Sequence, residues 1–191
     1  MIIKLSKTIA KVLANGDFIG EDELDLYEFG IFFSLSYIYF FITMLLSGIL
    51  LNHIKESIIF YFSFISIRQF AGGYHSKSEN ICLATTLFSS LSGMLLISLF
   101  PIRLKQYITI FIVFISLIIV FLSPVDNPNN KLTNIEKQRF KKVTILVLFI
   151  QLLFTLSFLL LKLSDFALAI LSSLSIELLL LIIGKIKYHT T

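Results

Sequence analysis

Apolar residues fall in long blocks along this chain, separated by short polar intervals. The clearest block is 30–52, 23 residues without a charge. About 20 apolar residues cross the hydrocarbon core of a bilayer, so this block predicts a transmembrane helix. Blocks 81–100, 107–123, 143–161 and 166–184 have the same character. Block 54–70 is weaker. Only 58–67 is strongly apolar, and Lys55, Glu56 and Arg68 flank it. It either spans or lies partly re-entrant against protein. Ahead of the blocks, Ile2, Leu5, Ile9 and Val12 share one helical face, and Lys4, Lys7 and Lys11 share another. Residues 1–15 therefore read as an amphipathic helix lying in the membrane interface. Asn15-Gly16 stops it, and 17–28 is an acidic connector. Lysines interrupt the apolar run too often for a secretory signal peptide.

Composition turns these blocks into a class. The chain has 191 residues, of which 57% are hydrophobic and 15% charged, with a mean hydropathy of +0.91. Soluble domains lie near 45–50% apolar and about 25% charged. An ordinary soluble enzyme and a disordered chain are both excluded. The expected fold is all-α: a polytopic membrane protein with about six transmembrane helices. Six spans use roughly 120 residues and leave no room for a large soluble domain. Residues 1–191 thus read as one membrane-embedded domain, with the bundle at 30–184. The net charge of +4 reports topology and no nucleic-acid partner, because Lys and Arg accumulate in cytoplasmic loops. With the N-terminus inside, 12 of the 16 basic residues face the cytoplasm, and only Lys55, Arg103, Lys105 and Lys162 lie outside. This orientation puts both termini and the 68–80 connection on the cytoplasmic side. The loop 124–142 opens with turn residues Pro124, Asp126 and Pro128 and ends as a basic helix start. It reads as a topogenic loop, or as a docking surface for an acidic peptide.

One interval breaks the lipid pattern. Residues 68–82 hold Gly72, Gly73, His75, Lys77 and the single cysteine, Cys82. Polar groups beside hydrocarbon are costly and are functional candidates by default. A cysteine becomes a nucleophile when a neighbouring base supplies the thiolate, and imidazole is suited to that near neutral pH. Along one continuous helix, seven residues rise about 10.5 Å, too far for a Cys82–His75 hydrogen bond. The pair therefore predicts a bend or re-entrant turn at 71–80, with Cys82 in the first turn of the next helix. The plainer reading is an inert packing cysteine, with Arg68 an interfacial anchor. Glu177 offers a rival site. With Gln151 it could line the polar path of a small transporter or peptide exporter, or it could be hydrogen-bonded to Ser172, Ser173 or Ser175. A non-catalytic scaffold, with 68–82 as a helix-packing connection, is the remaining rival, and a straight helix over 75–82 would support it. His53, His75 and His189 are too scattered for a metal site. One cysteine permits no internal disulfide, and no cofactor is expected.

Arg68, Gly73, His75 and Cys82, in that order and spacing, resemble the signature of the AgrB family. The run Ser123-Pro124-Val125-Asp126-Asn127-Pro128-Asn129, between the fourth and fifth spans, is similar to the family's loop motif. Many family members carry Gln or Glu two residues after the glycine that opens the first span; here Phe32 follows Gly30. The resemblance covers nearly the whole chain. It implies a bacterial cell-membrane cysteine endopeptidase that matures a quorum-sensing autoinducer precursor, with His75 and Cys82 catalytic. Arg68, Gly72, Gly73 and Lys77 would support the site or bind substrate. The implied partner is a short AgrD-like precursor peptide with an acidic C-terminal tail. Loss of that tail would leave an acyl-thioester on Cys82, from which a thiolactone or lactone ring closes. A homodimer is the implied assembly.

Overall fold

The computed structural model describes residues 2–16, 18–74, 78–125 and 132–189. These form seven helices: α1 (Ile2–Asn15), α2 (Leu24–Leu50), α3 (Ile54–Ala71), α4 (Glu79–Leu99), α5 (Ile108–Leu122), α6 (Asn134–Leu160) and α7 (Ser164–His189). No β-strand occurs among the described residues. The molecule is an all-α polytopic membrane protein.

Five helices, α2, α4, α5, α6 and α7, are long and apolar enough to cross a membrane. α3 is the exception to the expected six, and the reason is its composition: Lys55, Glu56 and Arg68 interrupt it. It is nevertheless one unbroken helix of 18 residues, about 27 Å long. Side-chain pairings show its course. Tyr61 packs on Phe40 and Phe41, and Phe64 packs on Phe40, so α3 runs back along α2. Ser63 meets Ser173 at 2.5 Å while Arg68 meets Glu177, so α3 runs parallel to α7. Gln151 donates to Ser63 O at 2.9 Å while Phe70 packs on Phe140, so α6 opposes α3. Ser172 donates to Gly93 O, and 81–89 of α4 face 176–183 of α7, so α4 opposes α7. Lys105 pairs with Asp165 and Lys185 covers Phe121, so α5 runs with α7. The six helices after α1 therefore alternate in direction, and α3 traverses the bundle like the others. Ser57, Ser63 and Arg68 are hydrogen-bonded inside protein and Glu56 pairs with His53, while Lys55 is exposed at the end of the helix, the setting in which such a helix is tolerated at membrane depth.

α7 is the axis of the bundle. Its most apolar window is 67% buried, against 17–28% in the other four long helices, and it packs on α3, α4, α5 and α6. The outer helices expose large apolar side chains such as Phe62, Phe88, Phe114, Phe121 and Phe149. The buried helix contacts use small polar residues, among them Ser63, Ser90, Thr155, Ser172 and Ser173. This inside-out arrangement belongs in lipid, where close approach of small residues drives helix packing and apolar side chains need no cover.

α2 starts earlier than the sequence expectation and takes in residues 24–28 of the acidic connector. α6 begins at Asn134, where the sequence reads as a basic helix start, because a capping box starts it there: Thr133 Oγ1 accepts from Glu136 N at 3.3 Å, and Glu136 Oε2 accepts from Thr133 N at 2.8 Å. Thr133→Ala should cost about 1 kcal/mol and lower the Tm of the detergent-purified protein by about 2–4 °C. α1 forms as expected, but its protein-facing stripe is Ile2, Ser6 and Ala10, and it packs on α2. Leu5 and Val12 remain exposed, which leaves that apolar face for the bilayer.

Candidate active site

The alternating directions bring the C-terminal ends of α3, α5 and α7 and the N-terminal ends of α2, α4 and α6 to one end of the bundle. The 68–82 interval lies there. The opposite end carries Lys55, Arg103, Lys105 and Lys162, so the division of basic residues read from the sequence corresponds to two physical ends.

α3 ends at Ala71 because Gly72 and Gly73 take positive φ, +78° and +117°, which L side chains rarely adopt. Gly72 lies beside Val125: Val125 N donates to Ala71 O at 3.0 Å, and Gly72 and Val125 form an isolated parallel bridge. A Cβ on Gly72 would stand 2.5 Å from Val125 O. The two sequence signatures are thus in contact at this point, although 126–131 lie outside the described residues. The strap 72–74 then crosses α7. Tyr74 N donates to Leu180 O at 2.9 Å. The Tyr74 ring lies under Lys187 Nζ at 4.7 Å, and Nζ also donates to its hydroxyl at 3.3 Å.

Arg68, one turn before the helix end, ties this strap together. Nη1 donates to Gly72 O at 2.8 Å, Nη2 donates to Tyr74 O, and Nη1 pairs with Glu177 Oε2 at 3.5 Å. Glu177 is fully buried on α7. Gln151, its companion in the transporter reading, is turned to α3 as well, donating to Ser63 O and Ser66 Oγ. Neither the serines expected as partners of Glu177 nor a link between Glu177 and Gln151 accounts for the two side chains. Both bind α3.

Helix resumes at Glu79, with Ser78 as N-cap in extended backbone (φ −91°, ψ 126°). A straight helix over 75–82 is therefore excluded. Cys82 N donates to Ser78 O at 3.0 Å, the first hydrogen bond of α4, so the cysteine sits at the end of the first turn as expected. Its thiol is free and half-buried. Among the described residues, the charges of Arg68 and Glu79 act on it. Glu79 Oε1 accepts from Ile2 N at 2.5 Å and Ile3 N at 3.3 Å, so the start of α1 is docked three residues from the thiol. An apolar cavity of about 570 Å³ opens between α4 and α7, with Tyr74 and Asn80 at one end and Ile81, Phe88, Leu180 and Ile183 among its walls. Of the residues singled out from sequence, Arg68, Gly72, Gly73 and Cys82 are gathered here. His75 and Lys77 lie outside the described residues.

The match to known proteins covers the same elements. A family model described as accessory gene regulator B, AgrB, matches residues 6–181. The chain belongs to the AgrB family. An AgrB-like protein 2 of Clostridium perfringens strain 13 is 30% identical over 159 residues, covering 80% of this chain and 74% of the relative. A second AgrB-like protein, from Clostridium perfringens strain SM101, has the same identity and coverage. No solved structure matches the chain. The site of this AgrB-family chain contains two contributors that sequence reasoning missed: Glu177 as partner of Arg68, and Gly184, where a Cβ would stand 2.7 Å from Tyr74 N of the strap. For both a signal was available. Glu177 and Gly184 are seven residues apart, which places them on one face of α7.

Proposed function

We propose that this AgrB-family protein is a membrane cysteine endopeptidase that removes the C-terminal tail of an autoinducer precursor. One observation carries the reading: helix breaks off at Gly72 and Gly73 and resumes at Glu79, which frees residue 75 to fold back toward Cys82. His75 takes the proton from the Cys82 thiol. The thiolate attacks a backbone carbonyl near the end of the precursor, the acidic tail leaves as the new amine, and an acyl-thioester remains on Cys82. An internal Cys or Ser of the peptide then attacks the thioester, closing the ring and regenerating the thiol. The thioester conserves the energy of the broken bond, so ring closure needs no ATP.

The geometry narrows the supporting roles. Gly72 N already donates to Arg68 O at 3.3 Å, and Tyr74 N to Leu180 O. Among the described residues of the strap, Gly73 N is the amide placed to stabilise an oxyanion. Arg68 is engaged by the strap and Glu177, so Lys77 is the better holder of the acidic tail. The apolar cavity beside α4 is suited to hydrophobic side chains of the precursor and to keeping water from the thioester. The end of the bundle richer in Lys and Arg faces the cytoplasm, where a newly made precursor is found.

Co-expression with a tagged precursor, bearing an internal Cys and an acidic tail, tests this. Wild-type protein should release the tail. With the internal Cys changed to Ala, peptide should accumulate on Cys82 as a hydroxylamine-sensitive adduct. Absence of both overturns the reading. Transport in proteoliposomes that survives Cys82→Ala but not Glu177→Ala would favour the exporter instead.

A further inference from the structure

We propose that Glu177 is a positioning residue, holding the Gly72–Tyr74 strap in place through Arg68 so that the chain leading into residue 75 is set relative to Cys82. The role in processing rests on the peptidase reading; the latch itself does not. Four observations converge on it. The strap begins with two glycines of positive φ, and beyond the Gly72 N to Arg68 O bond that closes α3 it leaves the helix, so its position depends on what it docks against. Its carbonyls at Gly72 and Tyr74 are both taken by one guanidinium. That guanidinium pairs with a fully buried carboxyl group on α7, the central helix of the bundle. Among the described residues, Arg68 is also a charged group that acts on the Cys82 thiol, so its placement couples the strap to the proposed nucleophile.

The direction of dependence follows from the chemistry. A guanidinium stays protonated in any protein setting and offers a rigid fork of donors. With only 14% of its side chain exposed, Arg68 needs an anionic partner where it stands. Remove the carboxylate, and the fork gains by turning toward water, which withdraws its hydrogen bonds from Gly72 O and Tyr74 O together. Among the described contacts, the Gly72–Val125 bridge, the Tyr74–Leu180 hydrogen bond and the Lys187 contact then hold the strap without the guanidinium. Glu177 touches neither the reacting atoms nor the peptide in this arrangement; it acts only through Arg68.

Two measurements test this, one of which is independent of the reaction. In a Cys82→Ser background, Tyr74→Cys and Leu180→Cys place thiols on residues whose backbones are hydrogen-bonded, and a short bismaleimide should join them rapidly. Adding Glu177→Gln, which keeps the side-chain volume, should slow this crosslink at least several-fold. In the chain with Cys82 intact, Glu177→Gln should lower kcat for the tagged precursor roughly 10- to 100-fold, the range expected for a misplacement near 1 Å, with KM little changed. Glu177→Asp, a carboxylate withdrawn by one methylene, should fall between and covers the case in which Glu177→Gln fails to fold. An unchanged crosslink overturns the latch. A slowed crosslink with wild-type kcat, or a rise in KM alone, overturns the positioning role. If wild-type protein processes no precursor, the peptidase reading fails, and the crosslink alone decides the latch.

Discussion

Cys82→Ser is expected to reduce precursor cleavage by about 10⁴-fold or more, below detection in cells, with the protein at wild-type level in the membrane. The substitution is structurally mild. Cys82 is tied into α4 through its backbone, donating to Ser78 O and accepting from Thr86 Oγ1 at 3.0 Å, and neither bond involves the thiol. What changes is the nucleophile. A thiol beside an imidazole reaches the thiolate readily, whereas a serine hydroxyl must be deprotonated in the attack itself. His75→Ala should be as severe. The double variant should be no worse than either single one, because the two act as a unit. A scaffold or transporter reading predicts no loss for Cys82→Ser. Normal processing by that variant would therefore remove the catalytic claim entirely, and folding would not be a way out, because the membrane level is measured alongside.

The features legible in the sequence were those with a local physical signature. Uncharged blocks of the right length marked α2 and α4 to α7. Glycines and polar residues between apolar blocks marked the break after α3, and Cys82 appears in the first turn of α4 as its spacing from His75 required. α3 was ambiguous for a physical reason. A helix whose polar side chains are satisfied by neighbours need not be apolar, and the neighbours Ser173, Gln151 and Glu177 lie 85 to 110 residues away. The same distance hid the partner of Arg68. Local chemistry marked both Arg68 and Glu177 as costly in a membrane, yet assigned one to the substrate's tail and the other to a transport path. Only the parallel run of α3 and α7 shows that the two are partners. Glu79 is a similar case: the fold engages it with the first amides of α1, 76 and 77 residues away in sequence. Val125 was legible only as part of the loop motif, because it contributes through its backbone, and backbone contacts carry no residue signature.

Gly184→Ala is the second large effect expected, and its sign separates local propensity from tertiary packing. Gly184 lies within α7, where Ala is better than Gly by about 1 kcal/mol in helix propensity. On that ground alone the variant should be more stable. The strap reverses the sign. A Cβ on Gly184 would stand 2.7 Å from Tyr74 N and 2.9 Å from Gly73 C. These are backbone atoms, already held by Leu180 O on the same helix and by Arg68 through the Gly72 and Tyr74 carbonyls, so they cannot swing aside as the end of a side chain would. Relief requires the strap to lift from α7. Overpacking of this kind costs about 1–3 kcal/mol, enough to cancel or outweigh the propensity gain. The shift falls on the segment that leads to His75, so cleavage of the tagged precursor should drop roughly 10- to 100-fold. Gly30→Ala provides the matched control. It too is a glycine inside a long helix, but nothing lies within 4 Å of the Cβ it would acquire. It should raise the Tm in detergent and leave processing unchanged. If Gly184→Ala behaves like Gly30→Ala, stabilised and active, the strap is not docked on α7, and the proposed latch loses its structural basis.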